Sequence, residues 1–274
     1  MRLARYIKKE SLTENPRVLA MLDRLQAGGC EVYTVKDSAD VRENTDMLLS
    51  IGGDGTFLSA ARFAVPHDIP VLGVHFGRMG FLSECEPEAV ADAILDGLWQ
   101  IEERTLLRVS VDGAAEDRFV PYAVNEMSVS RVSASMLGVD VTVDGVQLPT
   151  YWADGLLVAT SSGSTAYSLS VGGPICFPES RVFIVAPVSP HNLNVRPLIV
   201  PESAKLSITL RSRDEEADFA MDNKIYTIPA DSVIRVEAAP VHLKRVCLGK
   251  SNFVDALRSR LLWGMDVRNG VESN

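Results

Sequence analysis

The chain lacks the cysteine and histidine spacings of a metal or disulfide framework. Cys30, Cys85, Cys176 and Cys247 stand singly, with no CxxC pair, which argues against a structural zinc site and against a disulfide scaffold. His67, His75, His191 and His242 show no spacing suited to metal ligation. No apolar run approaches the ~18 residues of a membrane span, and Met1-Arg2-Leu3-Ala4-Arg5-Tyr6 has no apolar leader segment. Positive charge is also short: 27 Lys and Arg face 36 Asp and Glu, a formal charge of −9. A broad nucleic-acid-binding face is therefore not expected. Neither GxGxxG after a strand nor GxxxxGK[ST] occurs, so a standard dinucleotide fingerprint and a P-loop are both excluded by motif. A soluble, cytoplasmic protein without nucleic-acid or membrane partners is expected.

What is present is ordinary globular material, 46% hydrophobic and 23% charged in 274 residues, enough for one large domain or two modest ones. Arg2 to Ile7, Glu31 to Val35, Asp46 to Ile51 and Ile69 to Val74 read as strands. Pro16 to Leu25, with Val18, Leu19, Leu22 and Leu25 on one face, reads as a helix closed by Gly28-Gly29, and Pro87 to Leu98 reads as another. Strands alternating with helices imply βαβ units and a parallel sheet, with ligands at the carboxyl ends of strands.

Near residue 100 the pattern changes to short alternating runs and turn signals. Val139 to Val143 and Val146 to Leu148 flank Asp144-Gly145, a strong hairpin signal. Leu206 to Leu210 and Val233 to Val236 are further strands. Phe253 to Leu262 is the last periodic segment, capped by Ser251 or Asn252; its face of Phe253, Ala256, Leu257 and Leu261 needs a partner surface, most naturally the first domain. The expected fold is thus an N-terminal α/β parallel-sheet domain (1–100, joined by 250–274) and a β-rich, sandwich-like domain (101–249).

Three stretches could carry chemistry. Leu48 to Ile51 runs into Gly52-Gly53-Asp54-Gly55-Thr56 and then a helix. Glycines allow close ligand approach, and a helix N-terminus offers N–H groups to a phosphate. Asp54 would repel a phosphate held there, and makes more sense beside a hydroxyl that loses a proton or beside a metal ion. The plainer reading is a tight turn with Asp54 as N-cap. Asn125-Glu126 interrupts an apolar strand, so both residues either find partners at an edge or face a ligand. Asp154 to Pro174 passes from a strand into a hydroxyl- and glycine-rich loop containing Thr165, Ala166, Tyr167, Ser168, Leu169 and Ser170. Its hydroxyls suit sugars and phosphates and Tyr167 could offer a ring to a base; otherwise it is a polar Ω-loop. His75, beside Phe76-Gly77-Arg78, could touch a phosphate or be structural.

In order and spacing, Gly52-Gly53-Asp54-Gly55-Thr56, Asn125-Glu126, Asp154-Gly155 and the Gly163 to Ser170 run with Gly172-Gly173-Pro174 resemble the bacterial NAD kinase family, over nearly the whole chain. The resemblance implies ATP-dependent phosphorylation of the adenosine-ribose 2′-hydroxyl of NAD, with Mg²⁺ or Mn²⁺ on the triphosphate. It implies that Gly52, Gly53 and Gly55 belong to the phosphate turn and that Asp54 is the general base. Asn125, Glu126 and Asp154 would bind NAD, and Thr165 to Ser170 would line the adenine and ribose pocket. It implies a homo-oligomer, a dimer or tetramer, with NAD sites near subunit contacts. Ser59 stands where many relatives carry a basic residue, and Trp152 and Lys224 occupy positions that vary. A lipid or sphingoid kinase uses a similar glycine-aspartate turn, and a non-catalytic NAD(H)-binding sensor would share the pocket. The hydroxyl-rich loop and the intact Asp54 weigh against these two.

Overall fold

The computed structural model describes residues 1–77, 79–115, 118–249 and 253–264. Arg78 and the two candidate caps, Ser251 and Asn252, lie outside them. The chain forms two compact units: Met1–Glu102 together with the chain from Lys244 onward, and Glu103–Leu243.

In chain order the first stretch contains β1 (Arg2–Ile7), α1 (Pro16–Ala27), β2 (Glu31–Thr34), β3 (Met47–Ile51), α2 (Asp54–Ala64), β4 (Val71–Val74) and α3 (Pro87–Leu95). The strands lie in the order β2-β1-β3-β4, every pair parallel. All five residues of β3 are buried, as a central parallel strand covered on both faces requires. The Asn15 side chain accepts from the Arg17 N–H and Pro16 opens the first turn, so α1 starts where its sequence prescribes. Its buried face is Val18, Met21, Leu22 and Leu25. Leu19, expected on that face, is 42% exposed. Positions 18, 21, 22 and 25 share one helical stripe and position 19 sits about 100° away from its neighbour 18. The helix expected to reach Leu98 ends at Leu95, because Gly97 takes a left-handed φ of 68° and turns the chain.

The second stretch is almost all strand: β5 (Trp99–Val111), β6 (Tyr122–Ala123), β7 (Glu126–Ser130), β8 (Leu137–Val143), β9 (Val146–Gln147), β10 (Tyr151–Ala153), β11 (Gly155–Thr160), a short α4 (Tyr167–Ser170), β12 (Val182–Val188), β13 (Leu198–Pro201), β14 (Leu206–Arg211), β15 (Glu216–Met221), β16 (Lys224–Pro229) and β17 (Val233–Leu248), before α5 (Phe253–Leu261). One antiparallel sheet has the order β13-β12-β11-β7-β15-β16; a second contains β10, β8, β14 and β17, with β9 on β8, β5 on β17 and β6 on β5. Their inner faces share one core, with Met127, Val129, Leu156, Val158, Phe183 and Phe219 from the first and Leu107, Val139, Val141, Leu206, Ile208 and Val236 from the second. This is the expected sandwich. The β8–β9 hairpin turns at Asp144 and Gly145, with φ of 49° and 82°, the two positive values a tight primed turn demands.

Strand β17 serves both units in sequence. Leu206, Ser207 and Ile208 pair antiparallel with Val236, Arg235 and Ile234, whereas Arg245 and Val246 pair parallel with Val71 and Leu72 of β4. Helix α5 belongs to the first unit, where Phe253 packs against Phe81 and Ala256 and Leu257 are buried. No helix among the described residues is long and apolar enough to cross a membrane.

Candidate active site

The turn after β3 places Asp54 as the first residue of α2, with Gly53 as N-cap and no side-chain cap at all. The plainer reading of Asp54 as N-cap is therefore overturned. Its carboxylate reaches out of the helix to a second turn, Gly80 to Ser83, that follows β4. Oδ2 accepts from the Phe81 N–H at 2.8 Å, and Oδ1 accepts from Leu82 at 3.0 Å and Ser83 at 2.8 Å. Three backbone donors on one carboxylate fix its plane as well as its position. Gly80 lies directly against it and can have no side chain there.

Behind this turn runs a buried ion cluster. Arg245, only 2% exposed, meets Glu84 at 2.5 Å and Glu102 at 3.0 Å. Arg260 of α5 approaches the other oxygen of Glu84 at 3.4 Å and lies over the Phe81 ring at 4.7 Å. Burial pushes the neighbouring Cys247 thiol up to about 12, so it stays a neutral thiol. His75, at the end of β4, is buried; its N–H donates to the Cys85 carbonyl while neither ring nitrogen has a partner among the described residues.

The second unit repeats the device with the roles of its parts exchanged. Asp222, in the turn between β15 and β16 with φ of 50°, accepts from three successive N–H groups: Val124 at 2.9 Å, Asn125 at 2.8 Å and Glu126 at 3.2 Å. This fixes the Asn125-Glu126 step at the mouth of β7. The Thr160 hydroxyl donates to the Val124 carbonyl at 2.7 Å and accepts from Gly163 N–H at 3.0 Å, tying the hydroxyl-rich loop to the same step. A β-carbon at Gly163 would fall 2.1 Å from the Asn125 carbonyl oxygen, so only glycine permits this approach.

Glu126 is itself buried, with Oε2 lacking a partner among the described residues. Burial first, and then the charge of Asp222, push its carboxyl up to about 8, against the opposing pull of the Tyr167 N–H. It lines a cavity of about 370 Å³ with Ser128, Ser130, Tyr167, Asp218, Ala220, Asp222, Asn223 and Ile225. Tyr167 is 43% exposed at this cavity, Ser168 is fully buried, and Thr165, Ala166 and Leu169 are half-buried, with Ser170 facing solvent.

The expected site residues thus fall into two sets. Gly52, Gly53, Asp54 and Gly55 stand together in the first unit; Asn125, Glu126 and the Thr165 to Ser170 run stand together in the second. Asp154 joins neither. Register puts Ala159 opposite Glu126 and Gly155 opposite Ser130, so Asp154 is about 16 Å along β11 from the level of Glu126. There it pairs with Arg131 at 2.8 Å. Ser59 is buried in α2 and donates to the Gly55 carbonyl. Among the described residues no three His, Cys, Asp or Glu side chains converge as metal ligands.

Sequence reasoning missed the supporting residues. Asp222, Gly80, Glu84 and Arg245 carry no local motif; only the turn-forming Asp222-Asn223 between two strands gave any signal.

Comparison with known proteins follows from these two sites. Residues 5–100 match the ATP-NAD kinase N-terminal domain family and residues 124–248 the ATP-NAD kinase C-terminal domain family. An NAD kinase of Cytophaga hutchinsonii is 41% identical over 230 residues, 82% of this chain and 78% of that protein. One of Bacteroides fragilis is 39% identical over 229 residues, 82% of this chain and 79% of that protein. Among solved structures, an NAD kinase from Archaeoglobus fulgidus in complex with ATP superposes with a TM-score of 0.76 at 27% identity, over 94% of this chain and 98% of that one. Yeast NADH kinase complexed with NADH shares the fold, with a TM-score of 0.83 at 22% identity, over 99% of this chain and 90% of that one.

Proposed function

The chain belongs to the ATP-NAD kinase family, and on that premise we propose how its own residues perform the reaction of that family, ATP-dependent phosphorylation of NAD to NADP. The 2′-oxygen of the adenosine ribose forms a bond to the γ-phosphorus of ATP, the bond from that phosphorus to the β,γ-bridging oxygen breaks, ADP leaves, and the hydroxyl proton must be taken up.

Asp54 is the acceptor of that proton. The observation that carries this is its carboxylate, held by three backbone N–H groups at the carboxyl end of a buried parallel strand. Each carboxylate oxygen offers two acceptor sites. Among the described residues Oδ1 has both filled and Oδ2 keeps one, so Oδ2 is the atom assigned to the ribose hydroxyl. A carboxylate is a weak base toward an alcohol, so Asp54 orients the hydroxyl and accepts the proton late in the transfer.

Gly52, Gly53 and Gly55 bring bare Cα atoms to the ATP phosphates, with the Gly52 N–H already donated to the Val74 carbonyl at 2.8 Å. Asn125, Glu126, Tyr167 and the flanking Thr165, Ala166, Ser168, Leu169 and Ser170 receive NAD. The cavity at Glu126 is lined by hydroxyl, amide and carboxyl groups, which suit a nucleoside and not the acyl chain of a lipid kinase substrate. A divalent cation, Mg²⁺ or Mn²⁺, supplies charge neutralisation on the triphosphate.

The protein acts as a homo-oligomer, a dimer or tetramer, in the cytoplasm. Edge strands β13 and β16 leave Leu198, Ile199 and Ile225 exposed at 38%, 48% and 77%, the kind of edge a second copy covers. Asp154, remote from the Glu126 cavity of its own chain, would meet NAD held by another. Four buried free cysteines suit a reducing compartment.

Incubation with ATP, NAD and Mg²⁺ tests the reading: NADP should accumulate, and chelation of the cation should stop it. NAD left unphosphorylated under these conditions would leave a binding protein and not a kinase.

A further inference from the structure

The Gly80 to Ser83 turn is the sole hydrogen-bonding support of the Asp54 side chain among the described residues, and the turn has no regular secondary structure of its own. The Gly80 N–H closes it on the Ser83 carbonyl at 3.0 Å and Cys85 ties its end to the Gly73 carbonyl at 3.1 Å; side chains supply a further hold. Leu82 is bound on both sides: its N–H donates to Asp54 Oδ1, and its carbonyl accepts from Arg245 Nε at 3.4 Å. The next residue after the turn, Glu84, is gripped at one oxygen by Arg245 and approached at the other by Arg260. All of these residues lie within the first unit.

We propose that Arg245 is a positioning residue for phosphoryl transfer: with Glu84 it fixes the Gly80 to Ser83 turn, and the turn's N–H groups fix the Asp54 carboxylate. The proposal rests on Asp54 as proton acceptor. A guanidinium with 2% exposure carries a desolvation cost that ion pairing only offsets, and an apolar side chain of similar volume often does as well for stability. Its planar fork provides what an apolar residue cannot, a simultaneous hold on a carboxylate, a second carboxylate and a backbone carbonyl. Misplacement of a reacting group by about 1 Å costs on the order of a hundredfold in rate, so a support of this kind is read in turnover and not in substrate affinity.

Glu84→Gln keeps the shape and removes the charge that Arg245 holds. It should lower kcat by about tenfold to a hundredfold, leave the calorimetric Kd for NAD unchanged, and shift the amide resonances of Phe81, Leu82 and Ser83. In an Asp54→Asn background the same change should cost no further activity, because two residues acting through one group are not additive. Arg245→Lys, which retains a donor but not the fork, should give the same signature and carries the test if Glu84→Gln does not fold. An unchanged kcat with unmoved amides, or a loss that multiplies that of Asp54→Asn, would overturn the proposal. If Asp54→Asn alone kept full activity, the role given to Asp54 would fail, a result separate from these.

Discussion

A β-carbon on Gly80 would lie 1.9 Å from Oδ1 of Asp54. The Asp54 carboxylate therefore occupies the volume that any side chain at position 80 would need, and the two residues specify each other. Gly80→Ala should displace the carboxylate with little effect on the rest of the unit. We expect about a hundredfold loss of turnover with the circular dichroism spectrum retained. An active Gly80→Ala enzyme would mean that Asp54 works from some other rotamer.

Asp54→Asn preserves the shape of the side chain and removes the proton acceptor. Turnover should fall by about 10²–10⁴-fold, the usual worth of general-base help, while NAD still binds. Isothermal titration decides between this and a structural turn, for which binding and activity would disappear together.

Glu126 makes stability depend on pH. Its carboxyl is raised from 4.5 to about 8 by burial and by Asp222, so between those values the native state holds a proton that the unfolded chain has released. The stabilisation is complete below the unfolded value and is lost as pH rises toward about 8. Urea unfolding of nucleotide-free protein should show stability declining across this window. Glu126→Gln, neutral at every pH, should flatten the profile; an identical slope in the variant would show that another group titrates.

Assembly should couple to activity. If Asp154 of one copy meets NAD in another, dilution should lower specific activity as the oligomer dissociates, and NAD should restore it by mass action. Light scattering and assay on the same dilution series check this; a fully active monomer at low micromolar concentration would count against it.

Much of this was legible from sequence because its cause is local. Apolar Leu48 to Ile51 breaking into glycines marked a buried strand and the turn into the next helix, and Asp144-Gly145 marked its hairpin, since φ preferences act on single residues. Where two apolar assignments competed, local reasoning erred: Leu19 was given the place of Met21, and Leu98 was counted into a helix that Gly97 had already ended. The supports of the site were invisible for a different reason. Asp222 serves N–H groups up to 98 residues earlier in the chain, and Arg245 reads in sequence as one more residue of a long strand. Their function exists only in the folded contact, which no spacing rule encodes.

The passage of β17 from one unit to the other bears on how the protein is made. Glu103–Leu243 is a continuous stretch that holds every residue of its unit, so it can fold as soon as it leaves the ribosome. The amino-terminal unit, although synthesised earlier, gains the strand that pairs with β4 only when Arg245 and Val246 have been made. Vectorial synthesis ordinarily completes the first unit first; here the last segment of the first unit is made after the whole of the second. Since Arg245 also brings the guanidinium that grips Glu84, a nascent chain stalled before that point carries all of the second unit but lacks this hold on the Gly80 to Ser83 turn. Interrupted translation would then yield products with the Glu103–Leu243 unit whole and the outer support of Asp54 missing.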